Sequence, residues 1–193
     1  IWFLIKIFNN KKQHTMKNLL ILLLTTFVLS CCNKDDDPQP VSELEKLPPA
    51  TQTGANKIGC LLDSKAFLPG NYNNSKNCFY QFVDGEYYFV MTFNNKDTNF
   101  DLTSLIVASK KNQISQGGIY DLYEYIDGNY YGGYSFNAFN PTNTSSTHTG
   151  KLTITKLDTV NHIVSGTFWF DILDYQGNLH QIREGRFDMQ YTN

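Results

Sequence analysis

The residue with the clearest chemistry is Cys31, a thiol at the end of a short apolar stretch. Met16 and Lys17 precede an apolar run at residues 19–29, and Ser30 stands directly before the cysteine. A basic start, an apolar run and a small final residue are typical of a secretory signal peptide. The run has about 11 residues, whereas a helix needs about 20 to span a bilayer. A signal peptide is therefore favoured over a transmembrane helix.

The segment Val28-Leu29-Ser30-Cys31 resembles the lipobox of bacterial lipoproteins, although Leu29 stands where a small residue is usual. The resemblance implies that residues 16–30 are removed and that Cys31 is lipidated. Two or more acyl chains give a stable membrane anchor, at about 0.8 kcal/mol per buried CH₂. We therefore predict an outer-membrane lipoprotein that contacts the membrane through its lipid anchor. Because Met16 fits the start of a signal peptide, we expect residues 1–15 to be upstream sequence translated by mistake.

Lys34 and the three acids Asp35, Asp36 and Asp37 follow the lipidation site. This run resembles the surface-export signal of Bacteroidota lipoproteins, which implies display on the cell surface. The alternative is a solvated tether on a protein that faces the periplasm. Prolines recur up to residue 49, so we predict a flexible acidic and proline-containing linker over 31–50, ahead of a β domain at 51–193.

Cys60 and Cys78 remain as candidates for a disulfide. An oxidising compartment permits one, and closing such a loop contributes about 3 kcal/mol. The alternative is that each thiol is a small buried hydrophobic group. The histidines after the signal peptide, His148, His162 and His180, lack the close spacing of zinc ligands. No metal and no cofactor is predicted.

Two other patterns contain residues that could act in catalysis. Gly133-Tyr134-Ser135-Phe136-Asn137 begins like a nucleophile elbow but ends in Asn and falls within a strand-like run. Asp171 and Asp174 could form an acid pair, although solvated turn acids are the simpler interpretation. No catalytic residue is predicted. The part after the signal peptide carries 12 basic and 18 acidic residues, which argues against nucleic acid as a partner.

Tyrosine is concentrated between residues 120 and 134, with six in that span. A strand has two faces, so one core face cannot use all of them. An exposed tyrosine offers a flat apolar ring and a hydroxyl, which suit a sugar or a partner protein. The alternative is that the rings pack or are scattered. The candidate binding surface comprises Tyr123, Tyr125, Tyr131 and Tyr134.

Asp158-Thr159-Val160 resembles the O-glycosylation site of secreted Bacteroidota proteins. The triplet falls between two strand-like runs, where a loop tolerates a bulky addition. The resemblance implies modification of the Thr159 hydroxyl. The alternative is turn chemistry alone, in which Asp158 accepts a hydrogen bond from the backbone two residues on.

The elements that position these residues are predicted to be strands, because aromatic residues make up 15% of the chain and short alternating runs are divided by turn residues. Asp84-Gly85 and Asp127-Gly128 predict hairpins, and Asp63-Ser64 a weaker turn. Residues 137–149 are polar and predict a loop. We expect about nine strands in one antiparallel sandwich or flattened meander barrel, with runs at 58–62, 78–83, 86–93, 102–108, 119–126, 130–136, 151–157, 163–172 and 179–191.

Two segments resemble an uncharacterised family of Bacteroidota lipoproteins. They are Leu47-Pro48-Pro49-Ala50-Thr51-Gln52-Thr53-Gly54-Ala55-Asn56-Lys57-Ile58-Gly59-Cys60 near the start, and Ile163-Val164-Ser165-Gly166-Thr167-Phe168 with Glu184-Gly185-Arg186-Phe187-Asp188 near the end. The resemblance implies location and β architecture, and no catalytic residue. Within these segments we expect Gly59 and Gly166 to allow close backbone approach, and Phe168 and Phe187 to lie in the core.

Three functions remain open from the sequence. The first is a non-enzymatic binding or assembly module for a glycan or a partner lipoprotein, which an exposed tyrosine surface would favour. The second is a small extracytoplasmic hydrolase, which a convergent polar cleft would favour. The third is a carrier of a small apolar ligand, which an internal apolar cavity would favour.

Overall fold

The structure is a computed structural model, and it describes residues 40–193. These residues form β-strands that are joined by turns and loops. No helix separates the strands, so the all-β prediction is confirmed. The strands are β1 (Lys57–Leu62), β2 (Lys65–Phe67), β3 (Lys76–Val83), β4 (Glu86–Lys96), β5 (Leu102–Ser109), β6 (Ile119–Leu122), β7 (Tyr130–Phe136), β8 (Phe139–Asn143), β9 (Gly150–Asp158), β10 (Ile163–Leu173) and β11 (Leu179–Gln190).

Alternation of apolar and polar side chains accounts for these strands. In β4, Phe89, Met91 and Phe93 are fully buried, whereas Val90 and Thr92 between them are partly exposed. Successive side chains of a strand point to opposite faces, so one face of β4 enters the core and the other does not. β10 alternates in the same way from Gly166 onward, whereas residues 163–166 of β10 and 187–189 of β11 are buried without interruption.

All eleven strands belong to one sheet, in the order β2-β1-β11-β10-β9-β6-β7-β5-β4-β3, with β8 paired to β7 beside that path. Neighbours are antiparallel except β6 and β7, which are parallel. The sheet is open, because its path ends at β2 and β3. An isolated bridge between Phe79 and Thr192 nevertheless joins β3 to the residues that follow β11.

The sheet folds over itself, so that strands far apart in its order share one core. The ring of Phe93 on β4 lies 5.5 Å from that of Phe67 on β2 and 6.1 Å from that of Phe168 on β10. Phe168 and Phe187 are both buried in this core, as predicted. The arrangement is consistent with a sandwich rather than a closed barrel.

The number and pairing of strands differ from the prediction of about nine in hairpins. β2 was not predicted, and β8 lies inside the predicted loop 137–149. β6 ends at Leu122, not at residue 126, and its only pairing with β7 is parallel, Leu122 with Tyr130. The hairpin predicted at Asp127-Gly128 is therefore wrong. The turn itself forms, but it packs against the end of β5, where the Gly128 amide donates to the Lys110 carbonyl over 2.8 Å.

Two other predicted turns form with the expected geometry. Asp84 and Gly85 have φ values of 50° and 84° and join β3 to β4. Asp63 and Ser64 have φ values of 50° and 67° and join β1 to β2. Both pairs of central residues lie in the left-handed region, as a tight two-residue hairpin requires.

The compact unit begins earlier than the sequence predicted, at Val41, within the segment assigned to the linker. Leu47 is buried, and the Glu43 carboxylate accepts a hydrogen bond from the Ala66 amide over 2.8 Å. These contacts fix the segment 41–50 against β2 and its neighbours. Among residues 40–193, no helix has the length and apolar character needed to cross a bilayer.

Candidate functional site

The predicted signal peptide, the lipidation site Cys31 and the run Lys34, Asp35, Asp36 and Asp37 lie outside the described residues. They remain predictions. The tyrosine surface, the two later cysteines, the acid pair and Thr159 all lie within the described part of the chain.

Cys60 and Cys78 are free thiols, so the predicted disulfide between them does not form in the structure. Both side chains are buried in the core, where the alternative prediction placed them. Burial raises the pKa of Cys78 to about 12 and that of Cys60 further still. Because only the thiolate is nucleophilic, neither cysteine is placed for catalysis.

The four candidate tyrosines do not form a single exposed surface. Tyr123 and Tyr125 are 40% and 50% exposed, whereas Tyr131 and Tyr134 are buried. Tyr134 points into the core, where its ring stacks on His180 at 4.4 Å between centroids. The prediction of one four-ring patch is corrected to two exposed rings, because β7 turns Tyr134 inward and the ring of Tyr125 packs against Tyr131.

Tyr125 and Tyr131 instead form the wall of a groove on the side of β4, β5 and β7 that faces away from the core. Its volume is about 360 Å³. Ile106 and Gly133 lie in it, and Pro141 and Asn143 of the β8 strand line it too. A Cβ on residue 133 would lie 2.2 Å from Cγ2 of Ile106, so only glycine allows this close packing. We call this site the tyrosine groove.

Neighbouring side chains hold the ring of Tyr125 in place. The ring lies edge-to-face with that of Tyr131, 4.8 Å away, and the Lys110 ammonium lies 4.3 Å from its centre. Lys110 in turn pairs with Asp127 over 3.1 Å. These contacts pre-orient a half-exposed aromatic ring, which reduces the entropy lost when a ligand stacks on it.

The residues that line the tyrosine groove include no Asp, Glu, His, Lys, Arg or Cys. The tyrosine phenols are its ionisable groups. Burial, with a smaller contribution from Tyr125, raises the pKa of Tyr131 to about 12. The phenol therefore stays protonated. Such a site can stack on a ring and hydrogen-bond to it but offers no general base for hydrolysis.

His180 lies in an arrangement that resembles an acid–base pair and that the sequence did not predict. Its Nδ1 is 2.7 Å from a carboxylate oxygen of Asp63, and its Nε2 is 3.6 Å from one of Asp174. Nε2 is buried without a hydrogen-bond partner. Because that nitrogen faces neither solvent nor a nucleophile, we interpret His180 as a link between the β1–β2 and β10–β11 turns.

The predicted acid pair, Asp171 and Asp174, is separated by its partners. Asp171 forms an ion pair with Arg183. Asp174 accepts hydrogen bonds from the amides of Gln176 and Asn178, each 2.8 Å away, and so shapes the β10–β11 turn. Within residues 40–193, no group of three or more His, Cys, Asp or Glu side chains could hold a metal ion.

A buried carboxylate joins the two segments that carried the family resemblance. Asp188 on β11 is 1% exposed and accepts six hydrogen bonds. Its donors are the hydroxyls of Thr51, Thr53 and Ser165 and the amides of Thr53, Gly54 and Ala55. We call this arrangement the Asp188 clasp.

Two opposed effects set the charge state of Asp188. Burial alone raises the pKa of this carboxyl, but the hydrogen bonds from Thr51, Thr53, Ser165 and Gly54 outweigh it. The pKa of Asp188 consequently lies far below its usual value, and the group is charged in the folded protein. The clasp is structural, since the segment 51–55 covers the carboxylate.

Thr159 is exposed in the turn between β9 and β10. Asp158 accepts hydrogen bonds from the amides of Val160 and Asn161, over 3.1 and 2.9 Å, which is the turn chemistry predicted. Asp158 thus shapes the turn that presents the Thr159 hydroxyl to solvent. The glycan itself stays a prediction.

Intact mass spectrometry of protein from the native host checks this modification. We expect the wild-type protein to be heavier than the lipidated polypeptide by the mass of a glycan, and the Thr159→Ala variant to lack that excess. Ser146→Ala, at another exposed hydroxyl, is the control and should keep it. Equal masses for wild type and Thr159→Ala, after correction for the substitution, would show that the triplet serves only the turn.

No family model, curated protein or solved structure matches this chain.

Proposed function

We propose that this chain is a non-enzymatic binding module whose ligand is a glycan held in the tyrosine groove. The observation that carries the proposal is the half-exposed ring of Tyr125, fixed by Tyr131 and Lys110 beside a groove with no ionisable group besides phenols. Sugar rings have apolar faces that stack on such a ring and hydroxyls that reach polar groups nearby. Ser104, Ser135 and Asn143 supply those polar groups.

The same observations favour binding over the two alternatives. A hydrolase usually relies on a carboxylate or an imidazole within reach of its substrate, and the residues that line the groove include neither. A carrier needs an internal cavity, but large side chains such as Phe89, Phe93 and Phe170 fill the core. The volume of about 360 Å³ lies at the lower end of ligand sites, which suits one or two sugar rings.

A glycan microarray, followed by calorimetry with the tightest neutral glycan it identifies, tests this proposal. We expect Tyr125→Ala to weaken binding about tenfold, since loss of a stacking platform costs about 1.4 kcal/mol. Tyr125→Phe should keep most of the affinity. Tyr175→Ala removes a ring that is equally exposed, at 53%, but lies outside the groove, and it should bind like wild type. Undiminished binding by Tyr125→Ala would rule the groove out.

We also propose that the module is held at the outer membrane by a lipid on Cys31, displayed on the cell surface, and belongs to the uncharacterised Bacteroidota lipoprotein family. The signal-peptide pattern before Cys31 and the Lys34–Asp37 run support the location. Membership is supported by the Asp188 clasp, because it gives the two resembling segments a common structural role.

Metabolic labelling with a clickable fatty acid checks the anchor. Wild-type protein should be labelled, Cys31→Ala should lose the label, and Cys32→Ala should keep it. Protease treatment of intact cells then separates surface display, in which the protein is digested, from a position facing the periplasm. Equal labelling of wild type and Cys31→Ala would exclude this cysteine as the lipid acceptor.

A further inference from the structure

A second groove lies across β9, β10 and β11, on the side that faces away from the core. Its volume is about 320 Å³. Trp169 lines it and is 39% exposed, beside the hydroxyl-bearing side chains of Thr153 and Thr167. None of its lining residues is shared with the tyrosine groove. We call this site the tryptophan groove.

A β-bulge brings two arginines into this groove. Arg183 and Arg186 are three residues apart, and a regular strand would point them to opposite faces. In β11, however, Ile182 pairs with Phe170 of β10 and Gly185 pairs with Phe168. Two residues of β11 therefore lie between these pairs where β10 has one, which is a β-bulge. The pairing with β1 shows the same extra residue. The bulge therefore puts both arginines on the outer face.

The bulge requires an unfavourable backbone conformation at one residue. Glu184 has a φ of 53°, in the left-handed region that non-glycine residues rarely adopt. Bulges of this kind re-aim side chains, and they are frequent beside binding sites. Strained residues within an otherwise regular strand likewise cluster at functional positions.

Arg183 serves to position Trp169. Its guanidinium lies 5.4 Å from the centre of the indole, pairs with Asp171 and donates to the carbonyls of Phe170 and Ile182. These bonds occupy Arg183 and fix the indole beside the groove. A flat, partly exposed indole is the strongest stacking surface among side chains.

Arg186 is the cation with unused hydrogen-bonding capacity. Among residues 40–193 its one ion pair is with Glu184, at 3.5 Å, and the Glu184 side chain is 56% exposed. Lys151, opposite Trp169 on β9, pairs with the half-exposed Asp121 over 2.6 Å. The acid of each pair is about half-exposed, so these pairs contribute little, and both cations can exchange their partner for a ligand carboxylate. The lining carries three cations and one acid, and the acids that pair with the other two cations, Asp121 and Asp171, lie outside the lining.

We propose that the tryptophan groove binds a carboxylated sugar, a uronate, whose ring stacks on Trp169 and whose carboxylate accepts hydrogen bonds from Arg186. The planar fork of the guanidinium matches a carboxylate, which selects uronates over neutral sugars. Thr153 and Thr167 hydrogen-bond to the ring hydroxyls. This site acts independently of the tyrosine groove.

Calorimetry on the full-length protein in detergent tests the proposal, with trigalacturonate and a hyaluronan tetrasaccharide as probes. We expect at least one uronate to bind and its methyl ester, which keeps the ring but loses the charge, to bind at least about tenfold more weakly. Trp169→Ala and Arg186→Gln should each cause a similar loss. Tyr125→Ala should bind the uronate like wild type, which separates this site from the tyrosine groove.

The control is Tyr175→Ala, which removes an exposed ring from the β10–β11 turn outside either groove. Circular dichroism and thermal melting confirm that each variant is folded, and Trp169→Phe, which keeps an aromatic ring, should retain part of the affinity. Failure of both uronates to bind wild type would overturn the proposal. Equal binding of acid and ester, or undiminished binding by folded Trp169→Ala, would overturn it as well.

Discussion

Replacing Asp188 by alanine should lower the free energy of unfolding by about 3–5 kcal/mol, because the substitution strands the donors of the Asp188 clasp. Those donors include the Ser165 hydroxyl, which is 0% exposed, and the amides of Gly54 and Ala55. Asp188→Asn keeps the shape of the side chain but replaces one accepting oxygen by an NH₂ group, which faces the hydroxyl and amide donors and cannot accept their hydrogen bonds. It should therefore lose nearly as much stability.

Urea denaturation measures this loss, and single-donor variants calibrate it. Ser165→Ala and Thr51→Val each remove one hydrogen bond and should each cost about 1 kcal/mol. Asp121→Ala is the matched carboxylate control: its side chain is half-exposed, and its ion pair with Lys151 should contribute less than about 1 kcal/mol. If Asp188→Ala cost no more than Asp121→Ala, the clasp would not hold the segment 51–55.

The same carboxylate makes stability depend on pH. The pKa of Asp188 is lowered in the folded state, so the unfolded chain binds the proton more readily. Its contribution is fully present above the unfolded pKa of about 3.9 and is lost as the pH falls below that value. The wild type should lose more of its urea midpoint between pH 7 and pH 3 than Asp188→Asn does. Equal losses would exclude Asp188 as a source of the acid sensitivity.

Replacing Gly166 by alanine should cost about 3 kcal/mol, at the upper end of the range for overpacking. A Cβ at this position would lie 2.0 Å from the carbonyl oxygen of Thr153 and 2.8 Å from Cζ of Phe187. The nearer atom belongs to the backbone of β9, so relief requires the strands themselves to separate. The smaller entropy of the unfolded alanine chain returns less than about 1 kcal/mol of this.

Thermal and urea unfolding check this prediction, with Gly177→Ala as the comparison. Gly177 has a φ of 87° and no atom within 4 Å of a Cβ, so that variant meets backbone strain alone. Strain of that kind costs about 1–2 kcal/mol. A loss at Gly166 no greater than the loss at Gly177 would mean that β9 yields to the methyl group at little cost.

The sequence predicts the long strands well because alternation over many residues leaves few other structures. β4 and β10 each have 11 residues, enough for the pattern to repeat several times. β2 has three residues and β8 contains Pro141, so neither carries a recognisable period. The antiparallel partner of β6 could not be predicted, because it is β9, about 30 residues further along the chain.

The binding sites were only partly predictable from the sequence. A β-bulge changes which residues share a strand face, and several contacts join residues that are far apart in the chain. Residues three apart in a regular strand lie on opposite faces. The sequence therefore gives no indication that the bulge at Glu184 places Arg183 and Arg186 on the same face. Tyr125 was identified from composition. Five of the six hydrogen bonds in the Asp188 clasp come from donors more than 130 residues away in the chain, so the sequence around Asp188 does not indicate them.

The Asp188 clasp also affects the order in which contacts form during folding. During synthesis, residues 51–55 emerge long before residue 188, so their hydroxyl and amide donors cannot bond to Asp188 until β11 has been made. Contacts this distant in the chain close a very large loop and form late in folding. The bridge from Thr192 to Phe79 has the same dependence. A nascent chain truncated before β11 would thus leave residues 51–55 undocked, and synthesis of β11 and Thr192 allows both the clasp and the bridge to β3 to form.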